Sequence, residues 1–399
     1  MYKIILSLLF LQSLSIETVA QTMSYAEIDS ISYHQYLIGD WDGLLTTLRL
    51  AERNNSLYPN LLLRGGYAAM MKGNHSLSLK YYQNVLQLNS YNEAALYFAA
   101  YNNIQLSRFD AAVYYAKKLS IDNQNKLGLQ TKKSVEFADA EISIKPNNAT
   151  YRQTGTYFRA RFNSRINHRL KLIYCFATYR QNFLEPMPPP PGPIRNPNPS
   201  VRTFAVGDVQ GYLKSEYYIN AKLSLTNALH IANTNFDNNQ YRTAIFHAGI
   251  KYMMPSADVR LEINAGPLLD SLITQVAASS TYYPLGNLNF YGNSRLSYQK
   301  RTNLYQLNWY QMIGFKLHKK LWLEVHGTFG EIKNLIDHES LYIYDALDPG
   351  KYRIGGSILI PFNTKLTLNT NYFYEKKYLI SQNTYYHLHS LTLGFTWKI

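Results

Sequence analysis

The chain has 399 residues, a formal net charge of +14, 36 tyrosines and one cysteine, Cys175. A single cysteine excludes a disulfide framework, and no stretch after the leader approaches the roughly 20 consecutive apolar residues that a membrane helix requires. The basic residues are scattered rather than clustered, which argues against nucleic acid and leaves an anionic lipid surface or a basic interior to account for the charge.

In chain order, Lys3, the apolar run Ile4 to Phe10 and the small-residue site Thr18-Val19-Ala20 read as a secretory signal peptide over residues 1–20. Residues 24–133 follow with a helical rhythm. An offset of 34 residues aligns Gly39-Asp40-Trp41, Gly73-Asn74-His75 and Ser107-Arg108-Phe109. The same offset aligns Leu44, Ser78 and Ala112, and brings the small pairs Gly65-Gly66 and Ala99-Ala100 into register with Ile31-Ser32. A helix–turn–helix of that period resembles the tetratricopeptide repeat, and Lys72 to Asn89 follows that family's second helix closely, although Ser90 stands where a proline is usual. Such units bury their apolar faces only by stacking, and the resemblance implies a concave surface built from the first helices. On or near it would fall Tyr33, Tyr36, Tyr67, Met70, Met71, Tyr97 and Tyr101, an aromatic, Met-containing groove suited to a peptide or protein partner.

Residues 134–399 change period. Leu391, Leu393, Phe395, Trp397 and Ile399 share one parity and Ser390, Thr392, Gly394, Thr396 and Lys398 the other, and this alternation recurs in segment after segment. Many such strands with turn residues between them predict a transmembrane β-barrel, the form in which an antiparallel sheet pairs every backbone group without an edge. Tight connections near 163–167, 218–221, 255–257, 284–287, 318–320 and 361–364 alternate with longer ones, including 183–202 and 331–350. The count is fourteen strands, with Val135 to Ile144 as the first, and twelve is the alternative. Within 183–202 the run Pro188 to Pro193 cannot donate to a sheet and reads as a solvated outer loop.

With the apolar parity facing lipid, the lumen receives Arg159, Arg161, Arg169, Lys171, Lys214, Lys222, Arg242, Arg260, Arg295, Lys316, Arg353 and Lys365, with Glu324 and His326. The acidic set on that parity is shorter: Asp208, Glu216, Asp258, Glu262, Glu324 and Glu375. Two readings stand: a water-filled conduit that concentrates an anionic solute or polysaccharide, or cross-strand ion pairs filling a modest barrel. Neither a Gly-x-Ser-x-Gly nor a His-Glu-x-x-His is present, and no metal-ligand cluster or cofactor motif is evident, so catalytic and metal roles are not assigned. Cys175 reads as a strand filler.

The order of the two parts resembles the outer-membrane proteins of Gram-negative bacteria that couple periplasmic tetratricopeptide repeats to a YaiO-like barrel. The resemblance implies an α+β multidomain architecture, a helical repeat solenoid followed by an antiparallel transmembrane β-barrel. It also implies a periplasmic place for the repeats, contact with outer-membrane lipid, and a non-enzymatic part in export or assembly of an envelope polysaccharide. A closed-barrel scaffold and a membrane-embedded lipid- or glycan-modifying enzyme built around His247 or His326 are the alternatives.

Overall fold

The computed structural model describes residues 23–186, 201–237, 239–269, 271–302, 304–344 and 348–399. The expected signal peptide and the proline run at 188–199 lie outside the described residues. Seven helices come first: α1 (Tyr25–Ile38), α2 (Trp41–Arg53), α3 (Pro59–Met71), α4 (His75–Leu88), α5 (Glu93–Gln105), α6 (Phe109–Ala116) and α7 (Ile121–Lys126).

Their boundaries follow local chemistry. Ser24 opens α1 with a reciprocal cap: the Glu27 N–H donates to Ser24 Oγ, and the Ser24 N–H donates to Glu27 Oε2 at 2.8 Å. Asp40 and Asn74 cap α2 and α4, each accepting from the N–H three residues on at 2.9 Å. Helices α1, α3 and α5 start at 25, 59 and 93, and α2, α4 and α6 at 41, 75 and 109, so both series repeat every 34 residues. The turn before each even-numbered helix passes through the left-handed region at Gly39 (φ 74°), Gly73 (φ 73°) and Ser107 (φ 57°). Gly65 and Gly66 let α3 lie close to its neighbours: a Cβ at Gly65 would stand 2.0 Å from Leu48 Cδ1, and one at Gly66 2.8 Å from the Tyr82 ring. The helical core is apolar, with Ile28, Leu44, Leu48, Leu61, Leu79 and Val85 almost fully buried.

Fourteen strands then close an antiparallel barrel. They are β1 (Lys133–Lys145), β2 (Gly155–Arg165), β3 (Leu170–Pro186), β4 (Val201–Tyr218), β5 (Leu223–Phe236), β6 (Asn239–Met253), β7 (Ala257–Leu268), β8 (Ser271–Tyr282), β9 (Phe290–Arg301), β10 (Leu304–His318), β11 (Leu321–Ile332), β14 (Gly350–Pro361), β15 (Leu366–Leu379) and β16 (Thr384–Lys398). Between β11 and β14 the chain forms a separate two-stranded hairpin, β12 (Leu335–Asp337) and β13 (Tyr342–Tyr344). Closure comes from β1 against β16, with Ala140 opposite Phe395 and Ser143 opposite Thr392. The last strand keeps its expected faces: Leu391, Leu393, Phe395 and Trp397 point outward and exposed, while Ser390 is buried and shares a hydrogen bond with Ser143.

The helices sit on the end of the barrel that carries the short turns. Tyr283, Leu288 and Tyr291, at and beside the β8–β9 turn, pack into the helical core. The Ser76 N–H donates to Gly286 O at 3.0 Å, Ser76 Oγ to Pro255 O at 2.8 Å, and Asn287 Nδ2 to Gly73 O at 2.9 Å. Buried ion pairs complete the joint: Arg108 with Asp258 at 2.9 Å, and Asp110 with Arg165 at 2.6 Å and Lys171 at 3.2 Å. Helical layer and barrel therefore share one packed interface rather than a free linker.

Candidate functional site

The lumen is occupied by the chain itself. After β11 the segment 333–344 turns inward and fastens to the inner wall. Gln275 exchanges two hydrogen bonds with the backbone of Ile336, donating from Nε2 to its O at 2.6 Å and accepting from its N–H at 3.1 Å. Gln299 donates to Asn334 O and Tyr212 Oη to Glu339 O, while Ser340 O pairs with the His230 ring at 2.7 Å. Apolar side chains seat the hairpin as well: Ile336 packs among Ile245, Leu268 and Ile273, and Leu341 among Ile173, Tyr212 and Ala228.

Charge holds it most directly. Asp337 pairs with Arg295 at 2.7 Å and lies 3.8 Å from Arg353; Glu339 pairs with Lys214 and, at 2.7 Å, with Arg260. Tyr342 Oη accepts from Arg159 and donates to Glu141, and Tyr344 Oη donates to Glu375. The wall supplies its own counter-charges: Arg159 meets Glu141 at 2.8 Å, Arg161 meets Asp139 at 2.6 Å, and Arg295 also meets Glu262. The basic inner parity is thus answered by carboxylates, two of them carried in by the loop. Beside the hairpin a cavity of about 550 Å³ remains, lined among others by Tyr157, Arg159, Asn371, Phe373, Tyr344 and Ser390.

Of the residues expected in the lumen, Arg159, Arg161, Lys214, Arg260, Arg295, Glu324, His326 and Arg353 stand on the inner wall, and Lys171 stands at its mouth against Asp110. Arg169, Arg242 and Lys365 do not. Arg169 and Lys365 are exposed in short turns, the former bonded to Tyr217. Arg242 shares the outward parity of Phe246 and Ile250, because the inward positions of β6 hold Thr243, Ile245 and His247. The apolar Ile245 faces inward to meet Ile336, so alternation alone misreads this strand.

Besides His230, two further inner histidines, His247 and His326, are held by neighbours. His247 lies between Thr226 at 3.1 Å and Asn264 at 2.8 Å. His326 Nε2 meets Ser357 Oγ at 3.2 Å and its ring packs on Phe373. Among the described residues no group of three or more His, Cys, Asp or Glu is placed to hold a metal.

On the helical layer, Tyr36, Tyr67 and Tyr97 join a half-buried aromatic stripe with Trp41 and Phe98. Ring centroids stand 5.6 Å apart for Tyr36–Tyr67 and Trp41–Tyr67, 6.0 Å for Tyr67–Phe98 and 5.4 Å for Tyr97–Phe98. Tyr82 stacks beneath on Phe98, its hydroxyl buried without a partner. Tyr33 lies instead under Arg64, Tyr101 against His75, Met71 is exposed and Met70 half-buried. Trp41 entered the sequence reading only as a landmark of the 34-residue frame, and Phe98 not at all.

Also unread from sequence were Arg108 and Asp110, which fasten the helices to the barrel. Burial alone would push the Asp110 carboxyl up, but Lys171 and Arg165 hold it below the usual carboxylate range. A signal existed: where Asp40 and Asn74 cap their helices, the aligned residue is Arg108, which makes no side-chain cap and reaches Asp258.

No protein-family model and no curated protein matches this sequence. Among solved structures the barrel is similar to a TodX deltaS2S3 mutant monoaromatic hydrocarbon channel, with 6% identity, TM-score 0.49, and coverage of 68% of this chain and 92% of that one. It is also similar to a bacterial polysaccharide outer membrane secretin (9% identity, TM-score 0.42, 67% and 99% covered) and to the Pseudomonas putida toluene transporter TodX (5%, 0.46, 66% and 88%). At these scores the likeness is one of general barrel shape and carries nothing about what passes through or docks on this chain.

Proposed function

We propose that the chain is a non-enzymatic outer-membrane protein whose barrel is plugged at rest and anchors a periplasmic helical platform. The observation that carries this reading is the inward hairpin fixed by Asp337 and Glu339, together with the buried ion pairs that lock the helices to the short-turn end. Short turns face the periplasm in barrels of this kind, so the helices belong on that side. The exact 34-residue recurrence of helix starts supports reading them as tetratricopeptide-like repeats. Their stripe of Tyr36, Trp41, Tyr67 and Phe98 is the surface for a peptide or protein partner, since half-buried aromatic rings contribute much contact area at little entropic cost.

A second reading, a gated passage for an anionic solute or envelope polysaccharide, draws on the cavity of about 550 Å³ left beside the hairpin. Planar-bilayer recording separates the two. The resting plug predicts silence from protein that shows a heat-dependent gel shift, and a steady conductance after deletion of residues 334–344. Steady conductance from the intact chain would sink the plugged barrel.

A further inference from the structure

The tip of the hairpin presents a carboxylate to a place already built to receive one. Glu339 is nearly fully buried, its Oε2 against Lys214 Nζ and its Oε1 2.7 Å from Arg260 Nη1. The two cations come from β4 and β7, so the barrel wall, not the loop, forms the receptor. Arg260 has no other ion pair among the described residues, and its buried Nε–H has no hydrogen-bond acceptor. Lys214 does have a second partner, Glu216 at 3.5 Å, which is itself held by Tyr218 Oη at 2.8 Å. Departure of Glu339 would therefore leave one guanidinium unanswered and one lysine still paired. That is a single-anion vacancy.

The loop pays conformationally to fill it. His338, Glu339 and Ser340 take consecutive left-handed conformations at φ 49°, 60° and 62°, a region that non-glycine residues visit singly and at a cost. The turn persists because Tyr212 and His230 clasp the carbonyls of Glu339 and Ser340 while the carboxylate is held below. Such a segment is poised between two states: strain favours leaving, and the ion pairs favour staying.

We infer that Lys214 and Arg260 form a carboxylate-binding site, self-occupied by Glu339, and that a carboxylate-bearing solute entering the lumen exchanges with the hairpin tip. The inference rests on the plugged barrel and names the ligand class that the plug imitates. A neutral ligand would leave the partly exposed Arg260 guanidinium without a counter-charge beside Lys214, whereas a carboxylate restores the charge-assisted pairing that Glu339 provides.

Cys175 supplies the reporter. The chain's only cysteine packs beside the cluster of Ile173, Tyr212 and Ala228 that seats Leu341 of the hairpin. In the full-length membrane-embedded protein, maleimide labelling of Cys175 should be slow in the wild type and at least tenfold faster in Glu339→Ala. Millimolar propionate should return the variant toward the wild-type rate, and propionamide should not. The same rescue should fail once Arg260→Met is added. Glu339→Gln, nearly isosteric, provides the parallel case if the alanine variant lacks the gel shift of a folded barrel. Equal labelling in wild type and both Glu339 variants would overturn the inference, as would rescue by propionamide as strong as by propionate. Neither result touches the resting plug, which fails only if the intact chain conducts.

Discussion

The helical layer and the barrel solve the problem of an interior in opposite ways. Between the helices the buried side chains are chiefly Leu, Ile, Ala and aromatic rings, with a few neutral polar groups such as Ser78 and Asn102 bonded to each other and, among the described residues, no internal network of charges. Inside the barrel the buried set is rich in charge, with Arg159, Asp208, Lys214, Glu216, Glu262, Arg295 and Glu375, and most Leu, Ile and Phe point outward apart from the few, such as Ile173, Ile245 and Ile273, that seat the hairpin. The difference is one of solvent. Water drives the helices to hide apolar area, whereas lipid accepts it, so the barrel turns its apolar face out and satisfies its polar face inwardly by pairing. The two regimes meet at the joint, where Arg165 of the wall bridges Asp110 of α6 and Glu136 of β1.

That junction is where the comparison breaks most easily. Arg165 is almost completely buried and its guanidinium lies within 2.9 Å of both carboxylates. Arg165→Met leaves Glu136 without this pair and Asp110 with Lys171 alone, and removing one partner of a buried pair costs about 3–5 kcal/mol. The expected result is undocking of the helical layer, read as rapid proteolysis between 105 and 133 while the barrel keeps its gel shift. Protection equal to wild type would mean that the Arg108–Asp258 pair, the Ser76 and Asn287 bonds and the apolar contacts of Tyr283 and Leu288 hold the joint without Arg165.

A purely apolar change tests the other regime. Leu61 is fully buried between the helices. Leu61→Ala should destabilise the helical layer by about 2–5 kcal/mol through lost transfer energy and the cavity left behind. Urea titration followed by far-UV circular dichroism should show the helical transition shifting to lower denaturant with the strand signal unmoved. Joint movement of both signals would show that the two regions unfold as one unit despite their different interiors.

How far each region could be read in advance follows from the same contrast. Strand alternation survives wherever the inner neighbour is polar, which is why thirteen strands from residue 151 onward were legible, while β1 followed from the need for an even count, which left Val135 to Ile144 as the available segment. It fails in β6, where Ile245 faces inward to an apolar part of the hairpin, and Arg242 was misplaced accordingly. The hairpin itself carries no periodic signature, since three-residue strands are too short to show one. Its trace lay in the charge balance: the inner parity held more cations than acids, and Asp337 and Glu339 of the connecting loop supply part of the deficit. In the helices the 34-residue frame located the turns at Gly39, Gly73 and Ser107, and its departure at Arg108, which caps nothing and pairs with Asp258, marked the place where repeat geometry yields to docking.

The smallest expected effect concerns a single proton. His75 begins α4 beside the docking residue Ser76, with its Nδ1 2.9 Å from Asn102 Oδ1. Burial lowers its pKa from the ordinary 6.5, and the bond to Asn102 opposes that only in part. The unfolded chain therefore takes up this proton at a higher pH than the folded one. Wherever the unfolded state binds more protons, stability falls as pH falls, so the contribution is intact above the unfolded value and declines as the solution is acidified through 6.5 toward the folded value. Thermal unfolding of the helical layer should accordingly come at a lower temperature at pH 5 than at pH 7, and His75→Gln, which can keep a bond to Asn102 without titrating, should narrow that gap. A gap of unchanged size in the variant would assign the acid sensitivity to the carboxylates of the joint, with Asp110 foremost, and would place the weak point of the helical layer at the barrel contact and not within its own packing.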